Sequence, residues 1–226
     1  MLLGAAGAVV AGSVSSEPVA ATDKAAIEKI VREYILNHPE ILPEAMRNLE
    51  AREGAKAVST NRKALETPFG TAWEGAADAD VTLVQFFDYN CGYCRAARAD
   101  IDKLIAEDPK LRVVYREVPI LGEDSLKASR ASLAAAQGGN YIAFHKALYD
   151  AGRATAKSIG DVRNRVKPGG EDDAGKIDAE INANVGLLRD LQLTGTPGWV
   201  VGDQVLNGAV GYDALKAAIA EARTKG

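Results

Sequence analysis

The sequence predicts an α/β domain with a helical insertion, preceded by a separate helical segment. Three observations carry this. Residues 81–87 read VTLVQFF, a nearly continuous apolar run. A helical stretch from Arg95 to Glu107 follows, then a second apolar run, LRVVYREV, at 111–118. Such runs mark strands buried on both faces of a sheet, and strand, helix and strand in this compass make a βαβ unit. The pattern then turns helical from Ser125 to about Leu191, and strands return only near Trp199. Ahead of all this, residues 23–65 keep a helical period of their own.

Composition narrows the function classes. The chain has 226 residues, 47% hydrophobic and 26% charged, with 27 basic against 31 acidic side chains and a net charge of −4. That is globular composition, without the bulk positive charge that grips nucleic acid or an anionic membrane. Two cysteines and two histidines exclude a multi-finger zinc protein and a disulfide-dense scaffold.

The elements follow in chain order. Residues 1–21 open with a short apolar stretch, too short to cross a bilayer, and end in the small residues Val19, Ala20 and Ala21. They read as a secretory signal without its basic start, which implies export to an oxidising compartment. Residues 22–66 form the N-terminal helical region. Ile27, Ile30, Val31, Tyr34 and Ile35 fall on one helix face. His38-Pro39 interrupts it, because proline disfavours helix at the residue before it. A second helix is expected from Pro43, with Leu42, Met46 and Leu49 on its stripe and Val58 alone further on. That stripe is thin for a core helix and suits a partner helix.

Residues 67–226 form the main domain, with its helical insertion at about 124–191. Within the insertion, Tyr141, Phe144 and Leu148 share one face, and Ile177, Ile181, Val185 and Leu188 another. Gly202-Asp203 between two apolar runs signals a hairpin. Tyr212, Leu215 and Ile219 close the chain in a short helix.

The only cysteines, Cys91 and Cys94, stand at C-x-x-C spacing where a strand meets a helix. A zinc site would need two more ligands, and only His38 and His145 exist. A structural disulfide closing so small a ring stabilises little. The redox reading needs what is present. The first cysteine lies at a helix N-terminus, which favours a thiolate, and the second lies one turn on, within reach to resolve a mixed disulfide. His145 shares the Tyr141 face and reads as a packed residue, Trp199 as strand core, and Arg95 and Arg98 as solvated charges; Trp73 has no evident place. Thr196-Pro197 precedes a buried strand, where proline is unusual and a cis bond would turn a backbone edge toward the cysteines.

These residues carry a resemblance. FFDYNCGYC at 86–94, the helical insertion and TPGWVVG at 196–202 resemble the DsbA family of thioredoxin-fold thiol oxidoreductases over roughly 68–226. YILNHPEILPEAM at 34–46 resembles the stalk of the ScsC proteins, named for suppression of copper sensitivity, some of which oligomerise through it. The resemblance implies a thioredoxin fold with an inserted helical subdomain and an N-terminal oligomerisation stalk. It implies Cys91 as nucleophile, Cys94 as resolving thiol, and Thr196 beside a cis-Pro197 as substrate contact. It also implies a periplasmic enzyme with no organic cofactor or metal, a membrane-bound thiol reductase as electron donor, and a homo-oligomer, trimer ahead of dimer. The apolar stripe of Ile27, Ile30, Val31, Tyr34, Ile35, Leu42, Met46 and Leu49 would form the association surface.

Two features refine this expectation. Many relatives carry a buried carboxylate six residues before the first cysteine, and here that position is Gln85. A neutral amide cannot accept a thiol proton at pH 7, so another group must, with Glu117 or water as candidates. Gly92 and Tyr93 stand between the cysteines, as in the isomerase DsbC, whereas oxidising DsbA has Pro-His there. A histidine can add positive charge beside the thiolate and make a stronger oxidant; Tyr93 adds none. The expected activity is thiol–disulfide exchange on misfolded or disulfide-bonded proteins, isomerase or reductase in direction. The alternatives are a DsbA-like dithiol oxidase and a module holding Cu(I) on two soft thiolates.

Overall fold

The computed structural model describes residues 21–169 and 173–225. Nearly all of the signal-like segment lies outside the described residues. None of the described helices is long and apolar enough to cross a membrane. The chain divides into two compact units, Met1–Asn48 and Leu49–Gly226.

The first unit holds α1 (Ala21–Asn37) and the start of α2 (Ile41–Glu66). The break falls at His38-Pro39 as expected, but α2 begins at Ile41 rather than Pro43. Pro43 is then its third residue, still in the first turn, where a missing N–H costs no intrahelical bond. Ile27, Ile30, Val31, Tyr34, Leu42 and Met46 are all exposed, and Ile35 is half-buried.

The second unit is built on a five-stranded sheet in the order β1-β3-β2-β4-β5. Its strands are β1 (Trp73–Gly75), β2 (Val81–Phe87), β3 (Leu111–Glu117), β4 (Gly198–Val201) and β5 (Gln204–Asn207). β2 and β3 run parallel, with Phe87 beside Glu117 at their carboxyl ends. β4 pairs antiparallel with β2 and then with β5, across the Gly202-Asp203 turn. Gly202 has φ +56°, a backbone conformation that glycine adopts without steric cost. β1 was not expected from sequence. It places Trp73 at the sheet edge, with the Arg112 guanidinium 5.2 Å from its ring centroid.

Because side chains alternate along a strand, the sheet has two packed faces. Leu83, Phe87, Val113, Tyr115 and Trp199 meet α3 (Gly92–Glu107), α5 (Tyr141–Asp150) and α8 (Tyr212–Lys225). Val84, Phe86, Val114 and Val200 meet Leu187 of α7 (Ala174–Asp190), together with Val58 and Leu65 of α2. The later part of α2 is thus core. Arg116 of β3 donates to the carbonyls of Ala64, Leu65 and Thr67 as well as to Glu180, at 2.6 Å. One buried guanidinium therefore satisfies two of the carbonyls left free at the end of α2 and one just beyond it. The insertion consists of α4 (Glu123–Gln137), α5, α6 (Ala156–Arg165) and α7. The mixed sheet covered on both faces, with the helical insertion after β3, is the thioredoxin-like fold.

Candidate active site

The site lies where β2 and β3 end. Asp88, fully buried, turns the chain out of β2: its carboxylate accepts the Asn90 N–H at 2.7 Å and the Leu121 N–H at 2.9 Å. An aspartate bonding the N–H two residues on is an Asx turn. The Asp88 carbonyl then takes the Cys91 N–H at 3.1 Å. The chain is thereby set to start α3 with Cys91 as N-cap.

Cys91 Sγ accepts the Cys94 N–H and faces the Thr196 carbonyl, both at 3.3 Å. The Thr196–Pro197 peptide is cis. A segment 105 residues away in sequence is thus brought against the first sulfur. Both cysteines are free thiols. Cys91 is 7% exposed and Cys94 only 1%, so an incoming disulfide meets Cys91 first. Burial pushes the Cys94 thiol well above its ordinary range, and the Asp88 N–H and the Thr196 hydroxyl pull the other way. At neutral pH Cys94 therefore stays protonated. Gly92 and Tyr93 open the helix between them, with Tyr93 70% exposed.

Gln85 lies two residues before Phe87 on β2, on the sheet face that packs against α3. Its Nε2 is buried without a partner. Glu117 ends β3 on the same face and accepts from Ser132 Oγ. Burial raises its carboxyl to about 8, while Ser132, Ser129 and Tyr141 hydroxyls favour the charged form and the Asp88 charge opposes it. No hydrogen bond joins either side chain to Cys94.

Residues that the sequence reading passed over frame the cysteines. Asn90 exchanges hydrogen bonds with the backbone of Ala154, at 2.9 and 3.2 Å, and donates to Ser125 Oγ at 3.3 Å. Arg95 is not solvated. It donates to the Tyr149 carbonyl, to Gly152 O at 2.6 Å and to Tyr89 O at 3.3 Å, and lies 5.1 Å from the centre of the Tyr149 ring. Arg98 is also largely covered, with one nitrogen 3.6 Å from Asp102. Asp88-x-Asn90 was the available signal, a turn signature directly before the cysteines. The contacts of Arg95 had none, since its partners are backbone carbonyls.

His145 is packed as expected. It is hydrogen-bonded to the Tyr89 hydroxyl at 2.9 Å, and burial, with the nearby Arg98 and Lys146 charges, keeps it neutral. Trp199 lies in the core and donates to Gly208 O at 2.9 Å. Among the described residues no cluster of His, Cys, Asp and Glu is set to hold a metal ion.

Fold and site together define a thioredoxin-fold thiol–disulfide oxidoreductase. Residues 68–221 match the family model described as Thioredoxin, and the chain belongs to that family. Residues 23–56 match the model for the copper resistance protein ScsC N-terminal domain, which places the chain with the ScsC-type members. A linker-deletion mutant of Proteus mirabilis ScsC shares 30% identity, over 94% of this chain and all of that one, with a TM-score of 0.76. The thiol-disulfide exchange protein alpha-DsbA2 from Wolbachia pipientis shares 30% over 76% of this chain and 96% of that one, TM-score 0.67. A periplasmic thioredoxin-like protein from Salmonella enterica serovar Typhimurium shares 28% over 72% and 95%, TM-score 0.67. No curated protein matches the chain.

Proposed function

We propose that this oxidoreductase works in the periplasm as a protein disulfide isomerase and reductase, with Cys91 as nucleophile and Cys94 as resolving thiol. The observation that carries the roles is the asymmetry of the pair. Cys91 caps a helix, has a backbone donor on its sulfur and is the sulfur a substrate can reach; Cys94 is sealed beneath it as a neutral thiol.

The Cys91 thiolate attacks one sulfur of a substrate disulfide. A Cys91–substrate bond forms, and the other substrate sulfur leaves as a thiolate. In isomerisation a substrate thiolate then displaces Cys91, so no net electrons move. In reduction Cys94 loses its proton and attacks Cys91 Sγ, which releases the substrate thiol and leaves a Cys91–Cys94 disulfide. A membrane-bound thiol reductase would supply the two electrons that restore the pair. Glu117 can take the Cys94 proton only as a carboxylate, above about pH 8; below that, water bridging at Gln85 is the route we favour.

The uncharged Tyr93 supports the isomerase direction. So does the exposed stripe on the N-terminal helices, which we read as the surface of a homo-oligomer, trimer ahead of dimer. Several Cys91 sites on one frame raise the effective thiolate concentration near one misfolded chain. Export rests on the signal-like start and on the Salmonella relative being described as periplasmic.

The test pairs two ribonuclease assays, regain of activity by the scrambled enzyme and oxidation of the reduced one. Activity in the first alone is expected; activity in the second alone makes the protein an oxidase. Cys91→Ala should abolish exchange, and Cys94→Ala should accumulate a mixed disulfide visible by mass spectrometry. An adduct on Cys94 in the Cys91→Ala protein would reverse the roles.

A further inference from the structure

A cleft opens on the helical insertion, between α4, α6 and α7, with neither cysteine in its lining. It holds about 390 Å³, within the range of small-molecule sites. Its floor is Ile159 and Ile177, buried side chains that belong to two different apolar clusters. Its walls are Ala156, Gly160 and Ala174, which are too small to fill the space between the helices. A Cβ added to Gly160 would meet no atom within 4 Å. Glycine inside a helix also gives up stability that alanine would keep, so the cleft stays open at some cost to α6.

The rim is basic. Lys127 and Arg130 of α4 and Arg163 of α6 line it. Among the described residues no acidic side chain does so, in a chain whose net charge is −4. The acids at its edge face cations. Glu123 lies 3.6 Å from Lys127, and Asp178 takes two hydrogen bonds from Arg130, at 2.8 and 3.3 Å. Asp173 caps α7, with its carboxylate on the Lys176 N–H and on the Lys176 ammonium, both at 3.1 Å. Exposed ion pairs of this kind are worth little, so an incoming anion can share their cations. α6 begins at the cleft behind the neutral cap Thr155, and the positive end of its dipole adds to the three side chains.

We propose that this cleft binds a small amphipathic anion, a carboxylate on a short alkyl chain. The carboxylate sits at Lys127, Arg130 and Arg163, and the alkyl chain lies over Ile159 and Ile177 beside Gly160. Two isoleucines offer enough apolar floor for such a chain and too little for a partner helix or a membrane surface. The inference is independent of the thiol–disulfide exchange reading, because no lining residue takes part in that chemistry.

The test is calorimetric titration of the full-length protein with decanoate, below its micellar concentration, beside decyltrimethylammonium. Decanoate should bind with a Kd on the order of 100 μM, and the cation about tenfold more weakly or not at all. Gly160→Leu fills the cleft and should weaken decanoate binding by about tenfold or more. Leucine outranks glycine in a helix, so this variant should unfold in urea no earlier than the parent and reduce glutathione disulfide at the parent rate. Lys127→Gln with Arg130→Gln should weaken decanoate to a similar degree, whereas Gly160→Ala, which adds one methyl group, should bind it nearly as the parent does. If Gly160→Leu unfolds early, the charge variant decides alone. Hydrogen exchange should slow in α4, α6 and α7 when decanoate is added. Equal affinity for the two amphiphiles, or decanoate binding that survives both the Gly160→Leu and the charge variants, overturns the inference. So does protection confined to α1, which would make the exposed apolar stripe the binder, and so does the absence of binding.

Discussion

Replacing Glu117 by glutamine should make the protein less sensitive to alkaline pH. The carboxyl is fully buried, and one oxygen accepts from Ser132. Burial lifts it from an ordinary 4.5 to about 8. A group whose folded value is raised stabilises the fold fully below its unfolded value. That contribution is lost as pH rises through the folded value. The window is therefore about pH 4.5 to 8. At ~1.4 kcal/mol per unit, the loss between pH 5 and pH 9 comes to roughly 4 kcal/mol. Water drawn to the ionised carboxylate returns part of this, so about 2–4 kcal/mol is expected. Glu117→Gln keeps the acceptor for Ser132 and cannot ionise. Urea denaturation followed by circular dichroism at pH 5, 7 and 9 measures both proteins. Other titrating groups act equally on both, so the difference between the two pH profiles isolates Glu117. Parallel profiles, differing by under about 0.5 kcal/mol across the range, would refute the reasoning, because a group with an unshifted pKa adds no slope here.

The remaining predictions concern the frame and the stalk. Arg95→Gln removes a charge bonded to three carbonyls and should cost about 1–3 kcal/mol in thermal or urea unfolding. It should also slow the attack by Cys91 on glutathione disulfide. Arg95→Lys, which keeps the charge but not the fork, should recover only part of either, and full recovery would mean that charge alone matters. Ile30→Asp with Leu42→Asp places two charges in the exposed stripe of the first unit. Light scattering should then report a monomer where the parent chain is an oligomer, and scrambled ribonuclease should no longer be rescued although glutathione disulfide is still reduced. A parent chain that is already monomeric at micromolar concentration would remove the basis for that expectation.

The parts of the fold legible in the sequence were those with many residues voting together. β2 and β3 are continuous apolar runs, and α3 begins at a residue type and spacing that mark a helix N-terminus. β1 has only three residues, one of them glycine, too few for any period to show. The later part of α2 looks like partner surface in the sequence because Val58 and Leu65 stand seven apart among polar residues, alanines and charges. Both are covered by residues far along the chain, among them Val84, Phe86, Val114 and Val200 of the sheet, while Arg116, some fifty residues on, binds the carbonyls at the helix end. The site divides in the same way. Cys91 and Cys94 announce themselves by spacing, whereas the placing of Thr196 came from family resemblance, since no local rule joins residues so far apart. Charged residues after a motif are usually solvated, which is the expectation for Arg95 and Arg98. Only the tertiary structure puts three carbonyls around the first and covers the second.

The insertion, on these contacts, does more than enlarge the domain. An N-terminal thiolate gains from its helix only if the helix start is fixed relative to the sulfur, because the effect falls off within the first turn. Here the start of α3 is held from three directions. Asp88 ties it to the loop after β3, Asn90 ties it to Ala154 and to Ser125 at the head of α4, and Arg95 ties it to the end of α5 and to Gly152. Two of the three reach into the insertion, and apart from the Ser125 hydroxyl their partners there are backbone atoms. Backbone partners survive changes of side chain in the insertion, so its surface can vary while the cysteine turn stays in register with Thr196. The alanine-rich packing of α4, with Ala128, Ala131 and Ala135 in the core beneath, lets that helix approach closely enough for Ser125 to reach Asn90. A larger side chain at Ala128, one turn from Ser125, would push α4 outward from the core it packs on and break the Asn90 contact before it disturbed either cysteine.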